Sequence, residues 1–203
     1  FTALNNSWCP FFFEDMKQGN RENLREKAGN FLELFTVLSV GFVLLASEVY
    51  RYVYVSRDFW GSTMLIPIFV SSYYTNFLCT FPVNFEYYHK KTKVVSIITI
   101  VSSLINVGLN YLLILRIGMA GAAVATLISH SLQLTLHYLY VRFALGGKEY
   151  PFPLKMWVGY AAVFAAVAVA SVAADGLWLA RWGLGAAIGL WELLRIRKRK
   201  VLI

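Results

Sequence analysis

Residues Val94 to Leu115, VVSIITIVSSLINVGLNYLLIL, run for six turns of helix without one charged side chain. At 1.5 Å per residue, about 20 apolar residues cross the roughly 30 Å hydrocarbon core of a bilayer. An α-helix is the form in which a single such run satisfies its own backbone polar groups there. Arg116-Ile117-Gly118 interrupts the run, and Met119 to Val141 follows as a second crossing. The spacing predicts a tight helical hairpin, entered through Lys90, Lys91 and Lys93. Its first helix places Ser96, Thr99, Ser103, Asn106 and Asn110 on one face, at i, i+3, i+7, i+10 and i+14. Its second places the small residues Gly118, Ala122, Ala125 and Ser129 where a neighbouring backbone can come close.

The rest of the chain reads as all-α and polytopic. Hydrophobic residues make up 58% and charged ones 15%, with a mean hydropathy of +0.57, which excludes an ordinary soluble domain. Residues 1–13 read as the end of an incomplete transmembrane helix stopping near Pro10, so the chain is expected to be part of a longer membrane protein. Residues 14–30 are polar and read as a cytoplasmic linker with a short surface helix. Residues 31–145 hold the main spans: Phe31 to Tyr50, Trp60 to Asn84, and the hairpin. Residues 146–194 begin with the turn-rich GGKEYPFPLK and continue as two further spans. The first is Trp157 to Ala174, ending at an Asp175-Gly176 turn. The second, Leu177 to Leu194, is weaker and interrupted by Arg181. Residues 195–203 form a basic tail.

The net charge of +8 comes from cations at the span ends rather than from a patch on one fold, which argues against a nucleic-acid partner. Fifteen of the 19 Lys and Arg residues fall on one side of the predicted spans. By the positive-inside rule that side, with the C-terminus, is cytoplasmic. Tyr52, Tyr54 and Trp60 outside, and Tyr87, Tyr88, Tyr138 and Tyr140 inside, suit an interfacial belt. Membrane lipids are therefore obligate partners.

No nucleophile constellation, phosphate-binding glycine loop or Asp-x-Asp pair is present, and the aqueous segments are too short for a catalytic domain, so no catalytic residue and no cofactor are expected. Cys9 and Cys79 lack metal-ligand spacing and read as free thiols. His130, Gln133 and His137 share a helix face but lack further ligands, so His130 and Gln133 stand as substrate-pathway candidates and no metal is assigned. Glu33 is near a span end and can snorkel. Glu48 lies three residues before Arg51; a local ion pair and a coupling role in transport are both open. Lys90, Lys91 and Lys93 read as a topology anchor that can also meet anionic headgroups or a pyrophosphate. Gly185 and Gly189 make a GxxxG pair. The Ser96–Asn110 stripe must face protein, as hydrogen-bonding glue, or a water-filled path.

The runs YYHKKTK, INVGLNYLLI and GMAGAAVATLIS, preceded by NNSWCPFFF, SEVYRYV and STMLIPIFV, resemble the second half of the bacterial polysaccharide flippases. These oligosaccharide-lipid exporters share a superfamily with the multidrug MATE transporters and the lipid II flippase. The resemblance implies the C-terminal lobe of a MATE-like two-lobed transporter, whose partner is the missing N-terminal lobe. It implies as cargo a polyprenyl-diphosphate-linked oligosaccharide for O-antigen, capsule or exopolysaccharide, moved by alternating access, with polysaccharide-assembly proteins as further partners. A cation-coupled multidrug exporter of the same superfamily and a membrane-embedded polysaccharide-assembly enzyme are the alternatives.

Overall fold

The computed structural model describes residues 2–53, 62–147, 149–173 and 177–199. Among them are seven α-helices and no strand: α1 (Thr2–Gln18), α2 (Arg21–Val53), α3 (Ile66–Tyr88), α4 (Thr92–Ile117), α5 (Met119–Phe143), α6 (Leu154–Ala173) and α7 (Trp178–Arg199). The predicted belt residues Tyr54 and Trp60, the Asp175-Gly176 turn and the last residues of the basic tail lie outside the described residues. Among the described residues, five segments are long and apolar enough to cross a membrane: Arg21–Tyr50, Ser62–Tyr88, Thr92–Ile117, Met119–Phe143 and Leu154–Ala173. The chain is all-α and polytopic. The segment expected as a weaker final span is helical in α7 but is not among the five.

The N-terminal segments differ from the sequence expectation. Pro10 sits inside α1 without ending it, and the helix runs on to Gln18. The expected linker at 14–30 is the end of α1, a two-residue turn and the opening turns of α2. Gly19 takes φ +70°, the left-handed conformation that ends a helix. Asn20 then caps α2, its Oδ1 accepting from the Asn23 amide at 3.3 Å. Polar residues thus continue straight into an apolar span with no break in the helix.

Two compact units divide the chain: Phe1–Phe31 with Ser71–Trp157, and Leu32–Val70 with Val158–Ile203. The first is centred on aromatic rings. Phe77, Phe81 and Phe85 form one stripe of α3, and Trp8 stacks on Phe31 with centroids 5.3 Å apart. The turn-rich segment after α5 closes this core. Tyr150 meets Phe85 at 5.1 Å and Phe152 meets Phe81 at 5.2 Å, both edge-on. Arg25 Nε holds the segment from outside by donating to the Pro151 carbonyl at 2.6 Å. Such close packing carries the load that hydrophobic burial carries in water, since lipid tails are as apolar as the side chains.

The hairpin of α4 and α5 belongs to the same unit and is tied at Gly118, with φ +60° and ψ −140°, where side chains are strongly disfavoured. Its amide donates to the Ile114 carbonyl at 2.9 Å. The close approach lies three residues on, at Gly121, where a Cβ would stand 2.4 Å from the Leu113 carbonyl carbon and oxygen. Ala125 and Ser129 of the predicted small-residue stripe are buried as well.

In the second unit, α7 lies antiparallel to α2 and is held at both ends by ion pairs. Arg181 Nη1 donates to Glu48 Oε1 at 2.9 Å, and Arg195 pairs with Glu33. The partners are 15 residues apart on α2 and 14 on α7, which is about 22 and 21 Å of helix rise. The predicted GxxxG pair makes no tight contact: Gly185 has room for a Cβ 3.6 Å from Leu45, and Gly189 has nothing within 4 Å.

Candidate functional site

A cleft of about 270 Å³ opens in the first unit between α1, α3, α4 and α5. The sequence builds its main wall through the two faces of α3. Phe77, Phe81 and Phe85 turn into the aromatic core, while Asn76, Thr80, Val83, Asn84 and Tyr87 form the adjoining face and line the cleft. Asn5 comes from α1, Val95 and Thr99 from α4, and Gln133 from α5. The lining is thus mostly amide and hydroxyl, and among the described residues its titratable members are Cys79 and Tyr87. Asn84 is fixed at one end: its Nδ2 donates to Asn5 Oδ1 at 3.2 Å, and Cys9 Sγ donates to its Oδ1 at 3.9 Å. Across the cleft Gln133 Nε2 reaches Thr99 Oγ1 at 3.5 Å, a long contact that leaves both side chains room to rearrange.

The structure separates the predicted polar stripe into three parts. Thr99 is on the cleft. Ser96 and Ser103 are exposed and return their hydroxyls to their own helix, on the Thr92 and Thr99 carbonyls at 3.1 and 2.8 Å. Asn106 and Asn110 join the hairpin: Asn110 donates to Asn106 Oδ1 at 2.9 Å, and Asn106 donates across to Ser129 Oγ at 3.2 Å. The histidine face of α5 also spreads over separate partners. His130 Nδ1 donates to the Ser72 carbonyl at 2.9 Å, whereas Gln133 is at the cleft. Lys90, Lys91 and Lys93 are exposed around the turn from α3 to α4, with Lys90 at φ +57°.

Glu48 belongs to the other unit, and its described partner is Arg181; the side chain of Arg51 lies outside the described residues. Both members of the Glu48–Arg181 pair are buried, and Arg181 also donates to the Val43 carbonyl at 3.3 Å.

One polar pair escaped the sequence reading altogether. His137 Nδ1 is 2.9 and 3.0 Å from the two carboxylate oxygens of Glu86, and both side chains have 0% exposure. His137 read as a residue nearing the interface. Glu86 drew no assignment from the sequence alone. The signal was available only in part: Glu86 follows the aromatic stripe at Phe85, so α3 was still packing where the acid appears. Its partner, 51 residues away, had no sequence mark.

A polytopic all-α membrane protein with an amide-lined cleft is what the chain's geometry defines. Among known proteins it is similar to an uncharacterized membrane protein of Haemophilus influenzae, 29% identical over 107 residues. That match covers 52% of this chain and 26% of the relative, so the chain matches about a quarter of that protein's length. No family model matches the chain, and no solved structure matches it.

Proposed function

We propose that this chain is the C-terminal part of an inner-membrane flippase that moves a polyprenyl-diphosphate-linked oligosaccharide outward by alternating access. The observation that carries the reading is the cleft wall of Asn5, Asn76, Thr80, Asn84, Thr99 and Gln133. A sugar crossing a membrane must exchange its hydration for donors and acceptors, and amides offer both from one group. Apolar lining would suit a lipophilic drug instead, and a catalytic role would need the nucleophile or acid–base set that this wall lacks. The lipid tail stays in the bilayer beside the exposed apolar side chains of α4, such as Leu104 and Leu115. The C-terminus is cytoplasmic in this reading, and the exposed lysines at 90, 91 and 93 stand where the diphosphate begins its crossing.

The test compares Gln133→Leu with Asn106→Leu, each made at the native locus, with protein level and surface polysaccharide measured together. Gln133→Leu removes a cleft amide and is expected to leave the protein level unchanged while lowering export at least tenfold. Asn106→Leu removes the bond to Ser129 and is expected to lower the protein level, with export falling in proportion. Normal export by a Gln133→Leu strain at normal protein level overturns the reading.

A further inference from the structure

Among the described residues, no other ionisable pair is as enclosed as Glu86 and His137, both at 0% exposure. One ring nitrogen, Nδ1, serves both carboxylate oxygens. The other, Nε2, is buried with no hydrogen-bond partner. A carboxylate tolerates such burial only beside a positive charge or after taking a proton itself.

Among the described residues, no Lys or Arg side chain is bonded to the Glu86 carboxylate. From α3 the titratable neighbours are Cys79 and, one turn beyond Glu86, His89, whose ring packs on Phe85 at 4.5 Å. From α5 the neighbour is Tyr138, and from the segment after it Tyr150. The Tyr150 phenol is pushed well above its ordinary range, first by burial and then by Cys79, Tyr138 and Glu86. Arg25 is exposed and bonded to the Pro151 carbonyl, and Lys27 is engaged by Asp15 at 2.9 Å. Lys90, Lys91, Arg142 and Lys155 are exposed to the surroundings. Among the described residues, His137 is the one side chain in ion-pair contact with Glu86.

We propose that Glu86 and His137 form a single-proton binding site, with Nδ1–H held on the carboxylate and the exchangeable proton carried at His137 Nε2. Binding places H⁺ on the Nε2 lone pair and turns the imidazole into an imidazolium, so the enclosed pair is neutral. Release returns that lone pair and leaves one uncompensated negative charge, which demands water at the seam of α3 and α5. The site stands on this geometry alone and does not depend on what the chain transports.

The test is nitrogen NMR of the ¹⁵N-histidine-labelled full chain in lipid nanodiscs at neutral pH, where the sequence offers three histidines. His137→Gln identifies the signal by its loss. In the wild type both ring nitrogens of His137 are expected to be protonated. In Glu86→Gln one of them loses its proton while His89 and His130 keep their wild-type shifts. In Glu86→Asp, which keeps the charge, the ring stays doubly protonated. An unprotonated His137 nitrogen in the wild type overturns the proposal, as does a doubly protonated ring in a folded Glu86→Gln chain. Where Glu86→Gln fails to fold, the wild-type and Glu86→Asp spectra decide it.

Discussion

Replacing Gly121 by alanine tests the hairpin at its narrowest point. The new Cβ would lie 2.4 Å from the carbonyl carbon and oxygen of Leu113 and 2.8 Å from the Ile114 nitrogen. Ordinary contact begins at 3.4 Å, so the two backbones must part by about 1 Å. The obstructing atoms are main chain and cannot swing aside as a side-chain tip would. Overpacking of this kind costs about 1–3 kcal/mol, and backbone obstruction places Gly121→Ala toward the upper end. Alanine returns about 1 kcal/mol through helix propensity, leaving a net loss of about 1–2 kcal/mol. Gly108 provides the control on the facing helix, because nothing lies within 4 Å of its Cβ position. Gly108→Ala is therefore neutral or stabilising by up to about 1 kcal/mol. Unfolding by titration from mild detergent into SDS, followed by circular dichroism, orders the three proteins. A Gly121→Ala midpoint at or above the wild type refutes the close approach, whatever Gly108→Ala does.

Arg181→Leu strands buried Glu48 without its cation and is expected to cost about 3–5 kcal/mol in the same unfolding assay, while Glu48→Leu/Arg181→Leu recovers most of it. Tyr150 gives a pH signature: its phenol ionises near 10 in the unfolded chain and at higher pH in the folded one. Stability is then unaffected by this group below about pH 10 and falls as pH rises past it, because the unfolded chain releases the proton first. Tyr150→Phe, which also removes a buried hydroxyl without a partner, flattens that decline in alkaline unfolding curves. For orientation, a cysteine at exposed Lys91 in a background lacking Cys9 and Cys79 resists impermeant thiol reagents outside intact cells, and one at exposed Arg116 reacts. The reverse pattern overturns the assignment of sides.

What the sequence revealed follows the range of the interactions involved. The hairpin was legible because an apolar run, a glycine turn and a second run are all local, and α4 and α5 meet at Gly118 where expected. The small-residue stripe was less sharp. Its phase was drawn from Gly118, whereas the tightest contact fell on Gly121, since a helix pair's closest point depends on how the turn sets the second helix. The cleft was half visible: Thr99 and Gln133 were marked on their helix faces, but Asn76, Thr80 and Asn84 lie in a span read only as a crossing. The GGKEYPFPLK segment reads as a turn-rich loop, and the burial of Tyr150 and Phe152 in the core was not legible, because prolines and glycines fix a backbone path without saying which side chains it buries.

The charges inside apolar segments show most clearly why taking residues singly fails. Glu33 seemed free to snorkel, Glu48 to have Arg51 at hand, and Arg181 to weaken a span. Each of those assignments is cheap because it stays within one helix. Taken together, the acids are separated by 15 residues on α2 and the arginines by 14 on α7, so an antiparallel pairing aligns both at once. At 100° per residue the acids are about 60° apart around α2 and the arginines about 40° apart around α7, so each set shares a face. Two opposite-charge pairs with matched rise and matched face are a joint condition that neither helix meets alone. α7 is not among the segments apolar enough to span, and its Arg181 and Arg195 meet Glu48 and Glu33 on α2. The polarity that made α7 look like a poor helix for a membrane is what binds it to α2.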